Sequence, residues 1–174
     1  QARLGHRLED IKTLCGSALH TINNTLFFCS PDKYGSASMS GEICASETMA
    51  IIERIVQDAR RLYEAQQPRE WHIDSSSLAI ARHLVLRVDH DLFEQVLTNV
   101  VQNAIQHSPP GTAVSIRAVT KHQEELAVIV GNEMGPDHDV EVTKWTEAFW
   151  RDQAAGVTHG LGLGLWVVAR VMNN

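Results

Sequence analysis

Apolar residues near the start of the chain recur at alternating steps of three and four: Leu4, Leu8, Ile11, Cys15, Ala18, Ile22 and Leu26, with Leu14 and Leu19 widening the stripe. That period predicts one long helix over residues 3–28, with a heptad-like seam suited to packing on other helices. Ser30-Pro31-Asp32 ends it. Residues 30–46, rich in Ser, Gly and Asp, read as a loop. A second stripe, Met49, Ile52, Val56, Ala59 and Tyr63 with Ile55 and Leu62 beside it, predicts a helix over about 46–66. Residues 1–66 therefore read as a helical hairpin. Each stripe is wider than two helices alone can cover, so pairing of two hairpins into a dimeric four-helix bundle is expected.

The pattern changes after a linker at residues 67–70, which contains Pro68. Trp71–Ile73 and His83–Val88 read as short strands. Asp89 or Asp91 can cap a helix that runs to about His107, where Ser108-Pro109-Pro110-Gly111 stops it. Ala113–Thr120 and Leu126–Gly131 read as an antiparallel hairpin. A polar stretch follows, then a short helix around Trp145–Trp150, with core as the better reading of its aromatic residues. Gly164–Met172 reads as a last apolar helix. Residues 71–174 thus form an α/β sandwich, helices on one face of a mixed sheet, and the whole chain is α+β.

Composition narrows the function classes. With 44% hydrophobic and 21% charged residues over 174 positions, the chain has the make-up of a folded protein, which excludes disorder and collagen-like repeats. A net charge of −6 argues against nucleic acid or an anionic membrane as partner. No apolar run approaches the roughly 18 residues of a membrane span. The three cysteines have no zinc spacing and read as reduced thiols. The first residue is Gln1 rather than Met, as expected of a piece of a longer protein.

Three segments carry candidate chemistry. Gly160-Leu161-Gly162-Leu163-Gly164-Leu165 runs straight into the last helix. Its glycines let backbone approach a ligand closely, and the helix start offers free N–H groups to an anion. Asn99 and Asn103 lie four apart, so they share one helix face. Two carboxamides there can orient a hydrated Mg²⁺, which prefers oxygen ligands and keeps its waters. Asn132-Glu133-Met134-Gly135-Pro136 follows an apolar strand, where a polar side chain can meet a base edge. Each segment alone also fits an ordinary loop, a solvated pair or a turn.

Taken in this order, the segments resemble the GHKL-type catalytic and ATP-binding domain of sensor histidine kinases, of Bergerat type, in the wider family shared with gyrase and MutL. Helix 91–107 looks like its N box, Asn132–Pro136 like a worn G1 box, Phe149-Trp150-Arg151 like the F box and Gly160–Leu165 like the G2 box. The resemblance extends weakly to residues 1–66, which look like the dimerisation and phosphotransfer hairpin, with His6 in the place of the phosphoacceptor.

The resemblance implies a two-component histidine kinase core that binds ATP and Mg²⁺. Asn103 would coordinate Mg²⁺ with Asn99 assisting, and His107 would lie near the phosphates. Asn132 and Gly135 would stand at the adenine. Gly160, Leu161, Gly162, Leu163 and Gly164 would wrap the phosphates, beneath a mobile lid over residues 135–160. His6 would take the γ-phosphoryl group and pass it to an aspartate of a response-regulator receiver domain. Asp10, four residues on, would orient or deprotonate its imidazole. The implied setting is a homodimer joined through the hairpin, in the cytoplasm, as part of a membrane-bound bacterial sensor, with no nucleic acid and no direct membrane contact.

The match has departures. Asn132 or Glu133 stands where the family carries an Asp, Gln106 where it carries Lys or Arg, and Arg7 where an acidic residue follows the phosphoacceptor. The family also continues past the last helix with two more strands, so a C-terminal part is expected beyond Asn174. These departures keep a second reading open: a catalytically impaired relative acting as a dimeric signalling or phosphotransfer scaffold.

Overall fold

The computed structural model describes residues 2–30, 41–63, 69–74, 76, 85–121, 125–134, 142–151 and 160–173. Helix α1 spans Ala2–Cys29, strand β1 Glu42–Cys44, helix α2 Ala45–Tyr63, strand β2 Glu70–Ile73 and strand β3 Val85–Arg87. Helix α3 spans His90–Gln106, strand β4 Ala113–Lys121, strand β5 Glu125–Asn132 and helix α4 Gly164–Met172. Among the described residues no helix is long and apolar enough to cross a membrane.

The sheet is mixed. β4 runs parallel to β2, with Trp71 opposite Val114, and antiparallel to β5, with Val114 opposite Asn132. β1 pairs antiparallel with β3, Ile43 opposite Leu86. Val114, Ile116 and Ala118 of β4 alternate inward and are at most 2% exposed, as strand period requires. Helix α3 begins at Asp89, whose carboxylate accepts the Leu92 N–H at 3.0 Å. That satisfies one of the helix's orphan donors.

Helix α2 of the expected hairpin packs on the sandwich, with Gly16 of α1 beside Leu62 of α2. The α2 stripe (Ile51, Ile52, Ile55, Val56 and Ala59) is buried in one cluster with Leu97, Val101 and Ile105 of α3 and with Ile116 and Ala118 of β4. Arg54 of α2 also meets Glu94 of α3 at 2.6 Å, and Arg60 lies 5.9 Å over the Trp71 ring of β2. The physical reason is area. The α3 and sheet surface offers α2 a continuous apolar floor, whereas one helix cannot cover its stripe. Residues 43–59 therefore share one core with α3 and β4.

Helix α1 is left with its seam outward. Leu8, Ile11, Leu14, Leu19, Ile22 and Leu26 are all more than half exposed. The opposite side, carrying Asn24 and Phe27, is the buried one. Phe27 packs in a second cluster with Leu92 of α3 and Val167 of α4.

A second difference lies at residues 145–150. A 3-10 turn at Val142–Lys144 is followed by turns rather than by a helix. Phe149 has φ +64°, and its N–H donates to the Gly162 carbonyl at 3.0 Å. A residue in that conformation ends any right-handed helix. Phe149 is 55% exposed rather than core.

Candidate functional site

One end of α3, the strand end of β5, the 145–151 segment and the glycine turn before α4 enclose a cavity of about 200 Å³. Most residues singled out from the sequence meet there: Asn99, Asn103, His107, Asn132, and Gly160 through Gly164. Gly135 lies outside the described residues, as does most of the expected lid. His6 and Asp10 lie on α1.

The glycine turn is shaped by its residues. Gly160 has φ +122° and Gly162 φ +69°, both left-handed. A Cβ on Gly162 would collide with the Trp150 carbonyl oxygen and lie 2.9 Å from the Phe149 carbonyl carbon. Between them Leu161 is 47% exposed, while Leu163 is 2% exposed and anchors the turn. Gly164 sets α4 against α3: its Cβ would lie 3.5 Å from the Asn99 carboxamide oxygen. At the N-terminus of α4, Leu163 makes no side-chain cap. The N–H groups of the first turn are therefore without a capping side chain, which favours an anion there.

The charge of the lining agrees. Arg151 lines the cavity, and no carboxylate does among the described residues. The residues fit Mg²⁺ only as part of a phosphate complex. A hard cation wants six or so oxygens, and here Asn103 offers one half-buried carboxamide. The remaining oxygens would come from phosphate and water. Among the described residues no cluster of His, Cys, Asp or Glu suited to a metal exists.

At the other end, Asn132 donates from its Nδ2 to the Glu133 carbonyl at 3.1 Å. That bond assigns the amide so that its Oδ1 is an acceptor for an amino group.

Three residues of α1 also line the cavity: His20, Thr21 and Asn24. Sequence reasoning missed them, because polar residues on a helix read as a solvated face. The Nδ2 of Asn24 donates to Asn99 Oδ1 at 3.0 Å, and the Nδ2 of Asn99 donates back to Asn24 Oδ1 at 3.2 Å. Gln95 Nε2 donates to the same Asn24 oxygen at 3.2 Å. The second Asn24 N–H points to His20 Nε2 at 3.1 Å, which requires Nε2 to be the unprotonated nitrogen of a neutral ring. Burial lowers the His20 pKa from its usual 6.5 and favours that neutral form.

An arginine outside every motif stabilises the far end of α3. Arg69 donates to the carbonyl oxygens of Ile105 at 2.7 Å, Ser108 at 2.9 Å and Pro109 at 3.0 Å. Helix α3 has no basic residue in its own last turn, so Arg69 satisfies orphan acceptors there from the start of β2.

Residues 88–174, half of the chain, match the family described as histidine kinase-, DNA gyrase B-, and HSP90-like ATPase. The chain belongs to this family. The matched part holds α3 and the glycine turn, the two walls that face each other across the cavity. Sensor histidine kinase WalK of Bacillus subtilis is 30% identical over 112 residues, which is 62% of this chain and 18% of that protein. Sensor protein BasS of Salmonella typhimurium is 37% identical over 93 residues, 52% of this chain and 24% of that protein. The chain thus spans less than a quarter of either relative. The mycobacterial sensor histidine kinase MprB has the same fold, with a TM-score of 0.57 at 20% identity over 76% of this chain and 78% of that one.

Proposed function

We propose that this histidine kinase-like ATPase domain binds Mg-ATP in the α3 and glycine-turn cavity and serves as the catalytic part of a cytoplasmic two-component kinase. One observation carries the reading: an uncapped helix N-terminus preceded by two left-handed glycines faces Asn103 across a cavity lined by no carboxylate among the described residues. That arrangement suits a polyphosphate. Gly160–Gly164 and the first turn of α4 hold its oxygens, and Asn132 accepts from the base. Asn103, with Asn99 assisting, orients the hydrated cation, which supplies charge neutralisation at the transferring phosphoryl group. Arg151 adds positive potential.

In this reading His6 is the phosphoacceptor, Asp10 its orienting partner, and a receiver-domain aspartate the final acceptor. The exposed seam of α1 is the surface on which a second copy docks, because its six large apolar side chains lie in water in one chain. The test is incubation with labelled ATP of the wild type and of His6→Gln. Acid-labile, alkali-stable label that disappears in the variant supports the kinase.

A second reading is nucleotide binding without transfer to His6, in a signalling scaffold. The position of His6 favours it. His6 precedes His20 by fourteen residues of unbroken helix, roughly 21 Å along the axis from where α1 reaches the cavity. Transfer to His6 then needs a moved α1 or a second copy. Binding of the nucleotide with no label on the protein supports this reading.

A further inference from the structure

We propose that α1 is a latch on the phosphate end of the cavity: Asn24 holds the Asn99 carboxamide, so that docked α1 and Mg-nucleotide compete for it. The proposal rests on the nucleotide reading above and adds a regulatory contact to the same site.

Asn99 is 2% exposed and Asn24 5% exposed. Both ends of the Asn99 carboxamide are taken by Asn24, through the 3.0 Å and 3.2 Å bonds. A carboxamide so engaged is withdrawn from water and from a hydrated cation alike. His20 of α1 and Gln95 of α3 hold the amide of Asn24 on its other two sides, at 3.1 Å and 3.2 Å, so its orientation is fixed in the docked state.

The latch has a second, aromatic arm that reaches the opposite wall. Phe28 packs edge-to-face on Phe149 at 5.0 Å and on Trp166 at 5.1 Å, and Phe27 on Trp166 at 6.1 Å. Phe149 is the residue bonded to Gly162. The last ten residues of α1 therefore touch α3, α4 and the segment that buttresses the glycine turn. Over the earlier turns the large apolar residues of α1 are exposed. Gly16 also lies beside Leu62 of α2, so the polar and aromatic grip at residues 20–28 is one part of the docking of α1.

Competition has a definite signature. A site that binds only when α1 is released has its apparent affinity reduced by the released fraction. Weakening the docked state then tightens nucleotide binding, although the altered residues lie on α1.

The experiment is calorimetric titration of the chain with Mg²⁺ and a non-hydrolysable ATP analogue, for wild type, Asn24→Ala and Phe28→Ala. Hydrogen exchange of residues 20–28 is followed in parallel. Asn24→Ala leaves the buried Asn99 unpartnered in the docked state, so affinity is expected to rise about five- to ten-fold, with a similar direction for Phe28→Ala. The analogue is expected to speed exchange at residues 20–28 of the wild type, a readout that needs no variant. Unchanged or weaker binding by Asn24→Ala overturns the latch, as does unchanged or slowed exchange at 20–28; α1 is then a fixed wall of the site. Absence of binding by all three proteins overturns the nucleotide reading and the latch with it.

Discussion

The Phe149 N–H donates to the Gly162 carbonyl at 3.0 Å, and the Trp150 carbonyl oxygen occupies the space where a Gly162 side chain would begin. The aromatic segment and the glycine turn are therefore one unit, although eight residues separate Arg151 from Gly160 in the chain. Phe149 holds a left-handed φ that costs a non-glycine residue about 1 kcal/mol or more. The Gly162 contact keeps it there.

Substitution of the two left-handed glycines should therefore differ in cost. Gly162→Ala is expected to destabilise by about 2–3 kcal/mol and to abolish nucleotide binding, because it adds a collision to an unfavourable φ. Gly160→Ala meets open space and should cost about 1 kcal/mol. Thermal unfolding and analogue titration of both variants check the order.

Removal of the Arg69 guanidinium leaves the Ile105, Ser108 and Pro109 carbonyls without their charged donor. Arg69→Leu is expected to cost about 2–3 kcal/mol in urea unfolding. Arg69→Lys should restore only part, since one ammonium cannot reproduce the planar fork.

Placement of α2 in the sandwich makes a prediction about where the chain can be cut. Ile52→Ala, at a site 2% exposed, is expected to cost about 2–5 kcal/mol. A fragment beginning at residue 41 should unfold cooperatively, whereas one beginning at residue 67 should not, as judged by circular dichroism melts.

His20 gives the docked α1 a pH dependence. Its pKa in the fold is below the unfolded value of 6.5, so the unfolded or released form binds the proton more readily. Docking is fully favourable above pH 6.5 and is lost progressively as pH falls from there through the folded pKa. A protonated ring also has no lone pair for Asn24. Exchange at residues 20–28 should accelerate below pH 6.5 in the wild type, and that acceleration should vanish in His20→Gln.

Local periods made much of the sandwich legible. The α3 stripe, the β4–β5 hairpin and the α4 start all stand where spacing and capping residues put them. So do Asn103, His107, Asn132 and the glycine turn within one cavity. What spacing cannot give is the surface a stripe is buried against. The α2 stripe reads equally well as one half of a hairpin or as the cover of a sheet. Trp145 and Phe149 mimic a helical step, but the conformation of Phe149 is set by Gly162, a tertiary partner. His20 and Asn24 escaped because their role depends on Asn99, 75 residues further on. The available signal was geometric: with Phe27 they share the side of α1 opposite its apolar seam.

In the proposed function a magnesium-bound nucleotide occupies the cavity between Asn103 and the glycine turn. Its most direct measurement is a calorimetric titration of the wild type and of Asn103→Ala with an ATP analogue in the presence and absence of Mg²⁺. The wild type is expected to show one site, strengthened by Mg²⁺, and the variant binding at least about ten-fold weaker with the Mg²⁺ effect gone. No binding by the wild type, or equal and Mg²⁺-dependent binding by both proteins, would contradict it.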